Sequence, residues 1–413
     1  MKISVLTLGC KVNECESRSL ITQLRKQGAE VTEKAVCADA YIINTCSVTG
    51  EADRKSRQLA GKAARLNPNA KIYVVGCSSQ NNASPFLKMK NVVYIGGNCG
   101  KERILSYIMS DIIPEKRDFV CTLPTSFEEM PFPAHEKTRD YIRIQDGCNN
   151  FCSYCIIPYL RGRSRFRAIS SILEEAANVA KHTREIVLTG IDVSSYGKDT
   201  GTNLTELVRA LGDIPVRKRL SSFECNVIDE ELLYALKESG FNDHFHMSLQ
   251  SGSDDVLKSM NRHYTTDKFL QVAEAIRKVF PNAGITTDII AGFPTETEKD
   301  FLKACEFVRK VGFSDMHVFP YSERKGTRAA AMKQIPMDIR RERAAVLGEI
   351  KKELKARFLE KQLGKTLDVY FEDKEDGLTG GYATNYVRVF SESAKPGDIL
   401  PIKVSQIYKQ GVK

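Results

Sequence analysis

The sequence predicts an α/β protein in three parts: an N-terminal parallel α/β domain, a central partial (β/α)6 barrel and a C-terminal small antiparallel β-barrel. Three observations predict it. Short apolar runs alternate with helix-compatible stretches along most of the chain, a proline-bearing segment interrupts that alternation at 111–139, and the residues after 364 become closely spaced strand signals broken by glycine and proline. At 413 residues there is material for two or three domains with buried cores.

In the first part, Ile3 to Leu8, Ala40 to Ile43, Ile72 to Val75 and Val92 to Ile95 read as strands one strand-helix unit apart. Pro114, Pro124, Pro131 and Pro133 then mark 111–139 as a linker. In the second part, strands are expected at Tyr141 to Ile144, Glu185 to Leu188, Arg219 to Phe223, His244 to Leu249, Ile285 to Ile290 and Met316 to Phe319. Six such units make a partial barrel, with functional residues on the loops after the strands' C-terminal ends. Ile339, Leu347, Ile350 and Leu354 then set a long amphipathic helix at 337–363, ended near Gly364. The last part carries strands at Thr366 to Phe371, Tyr386 to Phe390 and Ile399 to Ile407, separated by Gly377, Gly380, Gly381 and Pro396. The expected domains are therefore 1–120, 134–360 and 361–413.

Composition excludes several classes. With 42% hydrophobic and 27% charged residues and no apolar run of membrane-spanning length, the chain is neither disordered nor a membrane protein. The N-terminus has no secretory h-region, so a cytoplasmic location is expected. Twelve cysteines in a reducing compartment point to metal or redox chemistry rather than disulfides. Residues 324–365 hold thirteen Lys/Arg against five Asp/Glu, so eight of the nine net positive charges lie in one tenth of the chain.

The strongest motif is Cys148, Cys152 and Cys155 in GCNNFCSYC, directly after the first barrel strand. Chance predicts about 0.01 such spacings in this composition. Three thiolates on one loop can hold three irons of a [4Fe-4S] cluster and leave the fourth open to another ligand. A zinc site would need a fourth protein ligand, and the next histidine, His182, lies well outside the motif. A second set is spread out: Cys10, Cys46 and Cys77 each follow one of the first three strands. Parallel strands align their carboxyl ends, so these cysteines converge at one crevice unless they are three unrelated buried thiols. Cys99, after the fourth strand, is a rival ligand.

These two triples, with TLGCKVNECES, DGCNNFCSYCIIPYLRGRSR, LTGIDVSSYG, HMSLQSGSDDVLKSMNRHY, TTDIIAGFPTETEKDF and HVFPYSERKGT, resemble the methylthiotransferases, a family of radical S-adenosylmethionine (SAM) enzymes. The resemblance runs along essentially the whole chain. It implies two [4Fe-4S] clusters, one held by Cys148, Cys152 and Cys155 and binding SAM, and an auxiliary one held by Cys10, Cys46 and Cys77. It also implies a C-terminal TRAM-like, RNA-gripping barrel, a tRNA anticodon loop as partner and a reducing electron donor such as flavodoxin or ferredoxin. One SAM would methylate a sulfur on the auxiliary cluster and a second would supply the radical that activates adenosine C2. Gly9-Cys10-Lys11-Val12-Asn13 resembles the branch acting on N6-threonylcarbamoyladenosine beside the anticodon, whereas the isopentenyladenosine branch tends to read Gly-Cys-Gln-Met-Asn and the ribosomal-protein branch Gly-Cys-Pro-Lys-Asn. Those two substrates are the enzymatic alternatives, and an iron-sulfur RNA-binding protein is the non-enzymatic one. Two departures touch loop shape: Cys225 and Asn226 follow Glu224 where proline is usual, and Thr295 stands where glycine is common.

By the same resemblance, Gly190 and Gly292 lie where backbone approaches SAM, and Ser248 and Gln250 are candidate ribose or substrate contacts. Arg161, Arg163, Arg165 and Arg167 alternate after the cysteine loop and, in an extended segment, would form a comb for tRNA phosphates or for a substrate carboxylate. Arg340, Arg341 and Arg343 of the basic helix are further phosphate candidates. RNA contact by the last part, with eight basic residues to seven acidic, would need Arg388, Lys403, Tyr382 and Tyr386 gathered on one face. His244, His246 and His317 alternate with apolar residues and read as packing or structural polar groups rather than metal ligands.

Overall fold

The computed structural model describes all residues except Asp111, Lys116, Cys121, residues 134–137 and Asp199, so the expected start of the barrel at 134 lies outside the described residues. The N-terminal elements run β1 (Lys2–Thr7), α1 (Lys11–Lys26), β2 (Glu30–Thr32), β3 (Ala40–Thr45), α2 (Gly50–Leu66), β4 (Lys71–Gly76), α3 (Cys77–Asn81), α4 (Ser84–Leu87), β5 (Val92–Gly96), α5 (Arg103–Met109) and β6 (Asp118–Phe119). The strands form one parallel sheet in the order β2-β1-β3-β4-β5-β6. β3, β4 and β5 are almost wholly buried, as expected of apolar runs covered on both faces. Two short edge strands escape sequence reading. β2 is three residues long, and β6 falls in the expected linker, where Phe119 stacks on Tyr94 at 4.7 Å. The 111–139 segment is therefore no free linker: Ser19 Oγ donates to the Pro131 carbonyl at 2.7 Å and Arg143 packs over the Phe127 ring.

The middle of the chain gives β7 (Arg139–Arg143), β8 (Gln145–Asp146), α6 (Ile157–Arg161), β9 (Arg165–Phe166), α7 (Ile169–Val179), β10 (Glu185–Thr189), α8 (Leu204–Ala210), β11 (Arg217–Leu220), α9 (Glu230–Glu238), β12 (His244–His246), α10 (Asp254–Ser259), α11 (Thr266–Val279), β13 (Gly284–Ala291), α12 (Glu298–Val311), β14 (Asp315–Pro320) and α13 (Met337–Glu360). Two parallel three-stranded sheets, β11-β10-β7 and β12-β13-β14, are joined by parallel bridges Lys218 to Phe241 and Phe223 to Met247. The result is six parallel strands in chain order, the partial barrel expected. Ile142, Ile186, Phe245, Ile289 and Met316 pack outward against the helices in one continuous core, which α13 joins through Leu347, Ile350 and Leu354.

The last elements are β15 (Thr366–Glu375), β16 (Leu378–Ala383), β17 (Arg388–Ser391), β18 (Ile399–Lys403), β19 (Ile407–Tyr408) and β20 (Gly411–Val412), in the order β18-β15-β16-β17-β20-β19. All neighbours are antiparallel except β17 and β20. Gly380 and Gly381, read as breaks, lie inside β16. A Cβ on Gly381 would strike the Tyr370 carbonyl oxygen and one on Gly380 the Arg388 guanidinium, so close packing rather than a turn requires glycine there. This sheet docks on the N-terminal ends of the barrel strands: Arg219 donates to the Thr384 and Ala383 carbonyls at 3.0 Å, and Tyr386 stacks on His244 at 4.5 Å.

Candidate functional site

The loop from Gly147 to Cys155 is built around its cysteines. Gly147 adopts φ +71°, and a Cβ there would strike the Arg163 carbonyl oxygen, so only glycine lets the chain turn from β8 into the loop. The Cys148 amide donates to the Gly162 carbonyl at 3.0 Å. On the far side, the Ser153 amide and hydroxyl donate to the carbonyls of Met260 (2.9 Å) and Ser259 (2.8 Å), and Asn261 Nδ2 donates to the Asn150 carbonyl at 2.9 Å. Phe151 is held at φ +46°, a strained conformation for an aromatic residue that these flanking bonds impose.

Sulfur in this loop is met by N–H donors. The Asn150 amide lies 3.5 Å from Cys148 Sγ, and Arg262 Nη1 lies 3.2 Å from Cys152 Sγ while also bonding Glu224 Oε1 at 2.9 Å. Asn150 Nδ2 reaches Glu224 Oε1 (3.0 Å) and Asp192 Oδ2 (3.3 Å). Burial raises the Cys148 thiol, reinforced by Asp192, and burial with the neighbouring Cys152 pushes Cys155 up to about 12. Metal ligation at this loop must therefore displace protons. Three soft donors with N–H groups aimed at sulfur fit an iron-sulfur cluster, and no fourth protein ligand is needed.

The second triple also converges. Cys10, Cys46 and Cys77 stand at the carboxyl ends of neighbouring strands β1, β3 and β4. Gly9, at φ +115°, lies so close that a Cβ would be 3.0 Å from Cys46 Sγ, and Gly76, at φ +104°, turns β4 into the helix that begins at Cys77. Loss of solvent raises the Cys10 thiol and pushes Cys46 up to about 11, and in both the nearby Cys77 adds to the rise. Cys99, the rival ligand, is engaged elsewhere: it is disulfide-bonded, with its Sγ 3.3 Å from the Thr122 carbonyl. The two triples share a wall, because Cys77 packs against Ile156, the residue after Cys155, and against Leu160 in α6. A cavity of about 640 Å³, lined by Cys10, Lys11, Arg139 and Tyr141 among others, opens beside Cys10.

The arginine comb does not form. Arg161 ends α6 and is fully enclosed, donating to Glu16 Oε1 (3.1 Å), Asp146 Oδ1 (3.0 Å) and Asn13 Oδ1 (2.6 Å). Arg165 is buried against Asp146 at 3.2 Å, and Arg167 against Glu175 and the Ser171 hydroxyl. Arg163 alone of the four is exposed, over the Phe151 ring at 4.4 Å. The sequence period assumed an extended strand, whereas the segment passes from a helix through a turn. The basic helix is corrected in the same way: Arg340 is buried on the Ile335 and Tyr321 carbonyls, Arg343 bonds Glu296 (2.8 Å) and Glu298 (3.0 Å), and Arg341 is exposed.

Among the residues expected near SAM, Ser248 is tied to the cysteine loop through Arg262, which meets both its carbonyl (3.3 Å) and Cys152 Sγ (3.2 Å), and that carbonyl also accepts from Tyr264 Oη (2.5 Å). Gln250, four residues past β12, sits at φ +68° and pairs with β13 at Ile289. The two glycines have packing reasons of their own. A Cβ on Gly190 would lie 2.7 Å from Gln145 Oε1, and one on Gly292 would lie 2.6 Å from Arg340 Cγ. His246, Asp288 and His317 do converge, but the ring nitrogens of His246 already meet Thr286 Oγ1 (2.9 Å) and Asp288 Oδ2 (3.3 Å), as in a structural polar network. Sequence reading gave no role to Arg262, Asn150 or Asp192. The available signal was their place in loops after α10, β8 and β10 inside the quoted motif blocks.

Residues 142–308 match the radical SAM superfamily, and residues 2–96 match a family described as Uncharacterized protein family UPF0004. The chain is 37% identical to the threonylcarbamoyladenosine tRNA methylthiotransferase MtaB of Aquifex aeolicus, over 92% of this chain and 95% of that protein. It is 32% identical to a tRNA-2-methylthio-N(6)-dimethylallyladenosine synthase of Pseudothermotoga lettingae, over 98% and 97% respectively. Among solved structures, the radical SAM methyltransferase TsrM of Kitasatospora setae aligns with a TM-score of 0.54 and 15% identity over 80% of this chain and 77% of that one, a likeness of fold.

Proposed function

The chain belongs to the radical SAM methylthiotransferase family, and from that premise we infer that it adds a methylthio group to C2 of N6-threonylcarbamoyladenosine in tRNA. The observation that carries this reading is the meeting of two cysteine triples across one wall, with Cys77 packed on the helix that leaves Cys155 and a nucleoside-sized cavity beside Cys10. Cys148, Cys152 and Cys155 would hold the SAM-binding [4Fe-4S] cluster, and Cys10, Cys46 and Cys77 the auxiliary one. When bound, these groups and SAM supply the 5′-deoxyadenosyl radical, the methyl group and the sulfur.

The protein's own contribution is placement and exclusion of water. Arg262, bridging Cys152 and Glu224, and Asn150, bridging Glu224 and Asp192, fix the cysteine loop against three barrel strands. Arg161, with Glu16 and Asp146, closes the interior between the two cysteine sets, so that a reactive species formed there meets the substrate before water.

The reading divides the chain into an auxiliary-cluster domain (1–120), a radical SAM domain (134–360) and a TRAM-like RNA-binding domain (361–413). Tyr386 is stacked between Tyr382 (4.7 Å) and His244 (4.5 Å) and Arg388 is paired with Asp373, so these groups serve the joint with the barrel, and of the four residues expected to meet RNA the exposed Lys403 is the one left for a phosphate. A flavodoxin- or ferredoxin-type donor would supply electrons. Among the described residues no helix is long and apolar enough to cross a membrane, and a cytosolic location agrees with ten free cysteines, although Cys99 is disulfide-bonded where none was expected. Mass spectrometry of tRNA nucleosides from cells lacking the gene tests the assignment. Loss of the methylthio form of threonylcarbamoyladenosine is expected, and loss of the isopentenyladenosine derivative instead would favour the activity named for the Pseudothermotoga lettingae relative.

A further inference from the structure

The cavity beside Cys10 carries an electrostatic imbalance. Among the described residues its charged lining consists of Lys11, Glu14, Arg18, Arg139 and Glu372. Four of these are neutralised within the protein: Arg18 donates to Glu14 at 3.2 Å and to Asp140 at 2.6 Å, and Arg139 bonds both Glu372 and Glu185 at 2.5 Å. Lys11 differs. Among the described residues it has no hydrogen bond and no carboxylate within 4.0 Å, its side chain is exposed, and its ammonium stands 6.0 Å from the centroid of the Tyr141 ring. Lys11 is also the first residue of α1, whose N-cap, Cys10, makes no side-chain cap, so the amides of the first turn add positive potential to the same wall.

An ammonium on the wall of a nucleoside-sized cavity, with every described carboxylate of the lining already engaged, is complementary to an anionic group on the ligand rather than to the base itself. We propose that Lys11 is the specificity-determining residue for the substrate, its ammonium receiving the carboxylate of the threonylcarbamoyl group while the modified base lies beside Cys10. The proposal rests on the reaction inferred above and names the residue that selects its substrate. An isopentenyl substituent has no carboxylate, so it would leave the ammonium unpaired and desolvated, the arrangement by which a polar site rejects an apolar analogue.

The test is binding of anticodon stem-loops to the full chain, measured by fluorescence anisotropy, with threonylcarbamoyladenosine or unmodified adenosine beside the anticodon. Wild-type protein should prefer the modified loop. Lys11→Gln should shrink that preference about ten- to hundredfold, the span of one charge-assisted bond, while Lys11→Arg keeps most of it. In the reconstituted enzyme, the ratio of kcat/KM for threonylcarbamoyladenosine tRNA to that for isopentenyladenosine tRNA should fall with Lys11→Gln. That ratio cancels any change in cluster loading. A Lys11→Gln protein with the wild-type preference and ratio overturns the proposal. Failure of the reaction assignment looks different: wild-type enzyme would leave threonylcarbamoyladenosine tRNA unmodified.

Discussion

The Arg161 guanidinium donates to the Asn13 side-chain oxygen at 2.6 Å, tying the residue three places after Cys10 to the residue six places after Cys155. Asn13 in turn donates to the carbonyls of Leu8 and Thr45, at the ends of β1 and β3. One buried fork thus registers the cysteine-bearing strand ends against the cysteine loop. Arg161→Met would take one cation from Glu16, which keeps Lys101 and Arg143, and one from Asp146, which keeps Arg165 and Arg143; a loss of about 1.5–3 kcal/mol in urea unfolding is expected, with little rescue by Lys because a single ammonium cannot span the three acceptors. Wild-type stability in Arg161→Met would show that the network is not structural.

Iron content separates the two cysteine sets. Anaerobically reconstituted protein should hold about eight irons, and Cys148, Cys152 and Cys155 changed together to Ala should leave about four. Changing Cys10, Cys46 and Cys77 instead should also leave about four, with SAM cleavage retained and sulfur insertion lost. Iron unchanged in either triple variant would exclude that set as ligands.

The barrel strands, the parallel N-terminal sheet and the six cysteines were legible because each is a local signal: apolar runs, turn residues and fixed spacing. What escaped is set by tertiary contact. The Arg161 to Arg167 alternation has the period of a strand, yet Gly147 forces a close approach to the Arg163 carbonyl and the chain meets Glu16, Asp146 and Glu175, which are distant in sequence or hidden in a helix. Gly380 and Gly381 looked like breaks because sequence shows a missing side chain but not the Tyr370 backbone that requires it. The Lys11 environment was unreadable for the same reason, since its meaning lies in which neighbours are already paired.

Acid should loosen the joint between the barrel and the C-terminal sheet. Glu185 is fully enclosed among Arg139 (2.5 Å), Arg219 (3.0 Å) and Arg217 (3.3 Å). Burial alone would raise its pKa, but Arg219, Arg139 and Arg217 outweigh that and hold it below the usual carboxylate range. A group depressed in the folded state contributes stability that is complete above its unfolded value, near about 4.3, and is lost as pH falls through the folded value. The urea midpoint of Glu185→Gln should therefore lie below wild type at pH 7, and the gap should narrow below about pH 4. A gap that is constant from pH 7 to pH 3 would contradict the ionised pairing.

The exposed and buried members of each arginine group should part company in tRNA binding. A phosphate contact releases counterions, so removing one cation lowers the slope of log affinity against log salt by about one, whereas an arginine already paired inside the protein contributes nothing to that slope. Arg163 and Arg341 are exposed, while Arg165, Arg340 and Arg343 are bound to protein carboxylates or carbonyls. Arg163→Glu and Arg341→Glu should each weaken tRNA binding and flatten its salt dependence while leaving the urea midpoint near wild type. Arg343→Glu should do the reverse, because it sets a third carboxylate against Glu296 and Glu298 and destabilises the protein before any effect on RNA is read. Titrations at several salt concentrations, run beside urea melts, separate the two classes, and wild-type slopes for both Arg163→Glu and Arg341→Glu would remove these faces from the tRNA path.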